Sequence, residues 1–131
     1  MGINVSRERT AQEAKVFGLV RAAHGVLTEE SGLESGAVRC YDKYVGPGYA
    51  QPSDKMVEAV QFLAQREAVL LDRVYTGKAM TGLIGLTKKG VFSPGDRVLF
   101  LHTGGAPALY AMADAFFDPV SESGSSLGAS G

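Results

Sequence analysis

Tyr49, Tyr75, Thr76, Thr103 and Gly104 are the residues of this sequence whose types and placement suit chemistry on a small polar ligand. They fall in three glycine-bearing turns, Gly46–Pro52, Tyr75–Gly77 and Thr103–Gly105, each placed after a predicted strand. A pair of phenols can transfer a proton or stabilise a leaving group. A threonine opening a helix sets a hydroxyl beside unpaired amides and the positive end of the helix dipole, where a phosphate or polar heterocycle docks. Threonines in these positions also simply cap helices, and loop tyrosines commonly pack, so the residue types leave both readings open.

Other candidates are weaker. Lys78 follows Gly77, but a phosphate-binding loop needs a glycine where Asp72 stands. Val45-Gly46-Pro47-Gly48 lacks the third glycine of the dinucleotide fingerprint. His102 beside Thr103-Gly104-Gly105 suggests an oxyanion segment, yet no G-x-S-x-G elbow is present, so a strand-end histidine bonded to backbone is the simpler reading. His24 reads as a surface or boundary residue of a helix, and Cys40 as a small core hydrophobe. One cysteine excludes an internal disulfide and any zinc site of two or more thiolates. Two distant histidines suggest no metal centre.

The 131 residues amount to one domain, with 13 Lys+Arg against 14 Asp+Glu and a net charge of -1. Such a balance recruits neither nucleic acid nor an anionic membrane. A hydrophobic fraction of 45% excludes disorder throughout, while no apolar run is long enough to span a bilayer and no leader core is seen. The expectation is a soluble, cytoplasmic domain. Its 17 glycines are the compositional outlier; they cluster at changes of chain direction.

The elements that must position these turns alternate. After a short strand at 2–6, Thr10 and Glu13 form a capping-box pair and Val16, Phe17, Leu19, Val20, Ala23, Val26 and Leu27 predict a helix over 10–27 with one buried face. A strand is expected over 37–45, then a loop, then a helix capped by Ser53 with Met56, Ala59, Val60, Leu63 and Ala64 facing inward. Val69–Leu71 reads as a buried strand, Thr76-Gly77 opens a third helix, and Lys88, Lys89 and Gly90 close it. Arg97–His102 is the most strand-like segment, and Pro107 begins a fourth helix. The order β-α-β-α-β-α-β-α implies an α/β fold, a three-layer parallel sheet with helices on both faces. Ligands of such sheets bind beyond the carboxyl ends of the strands, where the three turns fall. The Ser/Gly-rich stretch 118–131 is expected to be a disordered tail.

Three segments carry a resemblance. Tyr44-Val45-Gly46-Pro47-Gly48-Tyr49, Val74-Tyr75-Thr76-Gly77-Lys78-Ala79-Met80-Thr81-Gly82-Leu83-Ile84, and Val98-Leu99-Phe100-Leu101-His102-Thr103-Gly104-Gly105-Ala106-Pro107-Ala108-Leu109 resemble the D-cysteine desulfhydrase / 1-aminocyclopropane-1-carboxylate deaminase family. These are fold-type II pyridoxal-phosphate enzymes of the tryptophan-synthase-β type. The resemblance covers about residues 2–117, read as the carboxyl-terminal part of the cofactor-binding domain. It implies a lyase that cleaves D-cysteine to pyruvate, sulfide and ammonia, with pyridoxal phosphate as cofactor, a small amino acid as substrate and a homodimer as the full-length assembly. A cysteate sulfo-lyase, a cyclopropane deaminase of the same family, or a non-catalytic α/β binding module are the alternatives. Tyr49 and Tyr75 match tyrosines near the substrate. Thr76 matches the position facing the pyridine nitrogen, where the deaminases place an acid; Thr103 and Gly104 match residues lining the ring. The family's Schiff-base lysine, substrate-side serine and phosphate loop have no counterpart here, so the chain alone is expected to be inactive. Lys78 matches a position outside the Schiff-base role, and Arg73 stands where proline is usual.

Overall fold

In a computed structural model the structure describes residues 1–27 and 34–111. Two short strands, β1 (Gly2–Ile3) and β2 (Cys40–Tyr41), pair in parallel with Gly2 opposite Cys40 and Ile3 opposite Tyr41. Helix α1 (Arg9–Leu27) joins them by the crossover that a parallel pair requires. Helices α2 (Asp54–Glu67), α3 (Thr76–Lys88) and the single turn α4 (Pro107–Tyr110) follow in order. Helices alternating with parallel strands make this an α/β fold.

The helices sit close to where the sequence puts them, but their starts differ in detail. Helix α1 begins one residue earlier than expected, so the capping carboxylate is that of Glu8: its oxygens accept the amides of Thr10 and Ala11 and the Thr10 hydroxyl. Glu13 is thereby released from the expected capping box. It pairs with Arg9 at 2.9 Å and accepts the Cys40 amide at 2.8 Å, stitching α1 to β2. Ser53 occupies the N-cap position of α2 in extended conformation, yet its hydroxyl makes no capping bond; its carbonyl accepts from Met56 and Val57.

The apolar centre lies between α2 and α3. Met56, Ala59, Val60, Leu71 and Met80 are buried there, with Leu63, Leu83, Ile84, Phe100 and Leu109 packed around them. Gly77 allows this approach: a Cβ there would stand 2.6 Å from the Asp72 carbonyl oxygen and 2.9 Å from Val60 Cγ2. At its other end α3 stops at Gly90, with φ +70, as the sequence suggests.

Two expectations are corrected. Helix α1 has no buried residue, and Leu19, Val26 and Leu27 are exposed. Val69–Leu71 and Arg97–His102 form no strand ladder among the described residues, and the 37–45 strand shrinks to Cys40–Tyr41 after a 3₁₀ turn at Ser35–Ala37. Apolar, β-branched sequence favours a strand only when a neighbour supplies hydrogen-bonding groups. The outer segments lie side by side, joined by His102 to the Leu70 carbonyl, without closing a ladder. The tail 118–131 lies outside the described residues.

Candidate functional site

Asp72 organises the start of α3. Its buried carboxylate accepts the amides of Val74 (2.7 Å), Tyr75 (2.8 Å) and Thr76 (2.8 Å) and the Thr76 hydroxyl (2.6 Å). In return the Asp72 amide donates to Thr76 Oγ1 at 2.9 Å, and the Asp72 carbonyl accepts the Gly77 amide at 2.7 Å. Burial pushes this carboxyl's pKa up, but the hydrogen bonds from Thr76, Tyr75 and Val74 outweigh it and hold it below the ordinary aspartate value. The expectation of free amides at this helix start is therefore corrected: a side chain of the protein already fills the anion position.

The turn so built holds Tyr75 half exposed. Its hydroxyl lies 2.6 Å from that of Tyr49, with the two rings edge to face at 6.3 Å between centroids. The hydrogen bond to Tyr49 is the main reason the Tyr75 phenol is raised above its ordinary pKa. The tyrosine loop itself is irregular, with φ +72 at Gly46 and φ +58 at Ala50. It is anchored from the α3 side: Lys78 Nζ donates to the Gly48 carbonyl at 2.6 Å and Arg73 Nη2 to the Ala50 carbonyl at 3.4 Å.

The third turn meets the same centre through Gly105. A Cβ on Gly105, which has φ +96, would stand 2.8–2.9 Å from the Asp72 side chain. Thr103 and Gly104 are exposed beside it, and a Cβ on Gly104 would meet nothing. The Gly104 amide donates to His102 Nδ1 at 3.1 Å, so Nε2 carries the hydrogen that bonds the Leu70 carbonyl at 3.0 Å. His102 is thus the backbone-bonded histidine that the sequence suggests.

The structure joins Tyr49 to Tyr75 and brings Thr76 and Gly105 together on Asp72, while Thr103 and Gly104 are exposed and a Cβ on Gly104 would meet nothing. The sequence alone singled out neither Asp72, weighed against a phosphate-loop pattern, nor Lys78, weighed against that pattern and against the Schiff-base role. The available signal was an aspartate opening the turn before α3, a residue type whose side chain readily bonds backbone amides two or more residues on. A groove of about 830 Å³ between α2 and α3, lined by Lys43, Lys55, Lys88 and Lys89 among others, contains none of the nominated residues. Among the described residues no group of His, Cys, Asp and Glu is arranged to hold a metal, and no helix is long and apolar enough to cross a membrane.

D-cysteine desulfhydrases of Salmonella newport (strain SL254) and Salmonella typhi are each 45% identical to the chain over 111 residues, which is 85% of this chain and 33% of each relative. A solved structure described as an ACC deaminase homologue superposes with a TM-score of 0.74 at 30% identity, covering 88% of this chain and 34% of the other. The chain spans about a third of the length of the proteins it matches. The family model for pyridoxal-phosphate dependent enzymes matches residues 5–104, and the chain belongs to that family.

Proposed function

We propose that this chain forms the substrate-facing wall of a pyridoxal-phosphate-dependent lyase that eliminates sulfide from D-cysteine, giving pyruvate, sulfide and ammonia. Residues 1–117 are its part of the cofactor domain, and 118–131 a tail. The observation that carries the reading is the 2.6 Å contact between the Tyr49 and Tyr75 hydroxyls at an open, polar rim. A phenol placed beside the substrate can give a proton to a departing thiolate.

The residues present fit the rim of an aromatic ring. Thr103 offers an exposed hydroxyl, and Gly104 leaves open space where a side chain would stand. Thr76 is buried and gives its hydroxyl hydrogen to Asp72, so it has none to offer a ring nitrogen. The start of α3 does not suit the phosphate, because Asp72 occupies its amides. The phosphate and the cofactor-bearing lysine therefore belong to the two thirds of the relatives that this chain does not match. Lys78 is not a substitute, since it is buried on the Gly48 carbonyl. Pyridoxal phosphate, when bound, supplies an electron sink for the electrons left at Cα after proton loss. The chain's own phenols hold and deliver the proton taken up by the leaving sulfur.

The test is complementation. This chain is co-expressed with the unmatched two thirds of a Salmonella D-cysteine desulfhydrase, and pyruvate is assayed with pyridoxal phosphate and D-cysteine. Turnover is expected, with Tyr49→Phe or Tyr75→Phe lowering kcat by about 10²-fold. A folded, cofactor-loaded complex that makes no pyruvate, or is indifferent to both substitutions, overturns the reading.

A further inference from the structure

The loop that carries Tyr49 has little of its own to hold it. Its internal backbone bond, from the Gln51 amide to the Gly48 carbonyl, is 3.4 Å long, and Ala50 sits in left-handed conformation beside it. Tyr49 nevertheless stands within 2.6 Å of Tyr75. The tie comes from α3, where Lys78, three residues beyond Tyr75, is 1% exposed and reaches the Gly48 carbonyl at 2.6 Å. Arg73 holds the Ala50 carbonyl on the other side of Tyr49, more loosely. Among the described residues no carboxylate lies within ion-pair distance of Lys78. A buried ammonium on a neutral carbonyl is a poor stabilising device, because desolvation of the cation is only partly offset; burial also pushes the Lys78 pKa down. What the ammonium supplies instead is direction: one short bond from a rigid helix to the residue preceding Tyr49.

We propose that Lys78 is the positioning residue of the phenol pair: through the Gly48 carbonyl it locks the tyrosine loop to α3, and without it Tyr49 leaves Tyr75. Its catalytic meaning rests on the reading of both tyrosines as the reacting phenols, but its test does not. The chain is labelled at tyrosine Cζ and the phenol signals, assigned with Tyr49→Phe and Tyr75→Phe, are followed by NMR against pH. Tyr49, Asp72 and Arg73 are the charged or titratable groups beside Tyr75. At neutral pH the Tyr75 Cζ signal is shifted by its hydrogen bond to Tyr49. Lys78→Met abolishes that shift as Tyr49→Phe does, and Lys78→Arg restores most of it. A Lys78→Met chain with native far-ultraviolet dichroism and an unchanged Tyr75 Cζ signal at neutral pH overturns the proposal. Should Lys78→Met not fold, ¹⁵N-lysine labelling of the unsubstituted chain decides: a slowly exchanging Lys78 Nζ–H near Gly48 and Tyr49 supports the tie, and a freely exchanging ammonium overturns it. In the complemented enzyme, loss of the shift without loss of kcat leaves the tie standing and removes the phenols from the reaction.

Discussion

Asp72 does at residue scale what a bound anion does at many helix starts: it satisfies the amides of Val74, Tyr75 and Thr76 with an internal negative charge. Asp72→Ala leaves those buried donors unpaired and is expected to cost on the order of 3 kcal/mol in urea denaturation. The pH dependence has a definite sign. A carboxyl whose folded-state pKa is depressed contributes stability that is complete above its unfolded value and is lost as pH falls through the folded one. Denaturation followed downward from neutral pH should show the unsubstituted chain losing stability below about pH 4. Asp72→Asn should start lower and lack that component, and an identical pH profile in the two chains would contradict the role assigned to the charge. Tyr49, Tyr75 and Thr76 were legible as candidates from their turns alone, whereas Asp72 was not. Its importance depends on being buried, and burial is a property of what surrounds it.

At the scale of elements, α3 is the frame of the site: it carries Thr76 and Lys78, is capped by Asp72, and takes the helix-capping position at Tyr75. It stands close to α2 because Gly77 has no side chain. Gly77→Ala sets a methyl group against the Asp72 carbonyl and Val60, at an expected cost of about 1–3 kcal/mol in urea midpoint measurements. Adding Val60→Ala should not recover the loss, since the backbone oxygen remains; full recovery would show that side-chain crowding alone was responsible. Helix spans were readable because their periodicity and stop signals are local: Lys88, Lys89 and Gly90 end α3 where expected. Strands were not, because Val69–Leu71 and Arg97–His102 depend on partners distant in sequence.

Taken whole, the described chain leaves Leu99, Leu101 and Tyr110 at least three-quarters exposed, together with Val26 and Leu27 of α1. Apolar segments with unpaired backbone in this state pair readily with other chains. The purified chain is expected to associate with rising concentration in sedimentation velocity. Leu99→Glu with Leu101→Lys should suppress that association while leaving the far-ultraviolet dichroism unchanged. A monomer at all concentrations would show that this surface is covered in solution.

By itself the sequence determined the α/β class, the helices, the loops at 46–52 and 103–105, and the family, because each is written in short-range pattern or in contiguous motif. The tertiary structure alone decided that Asp72 is the anion at the start of α3, that Lys78 faces inward onto Gly48, and that two phenols 26 residues apart share a hydrogen bond. Those outcomes require segments far apart in the chain to meet, and the energy of a buried charge or a shared proton exists only once they do.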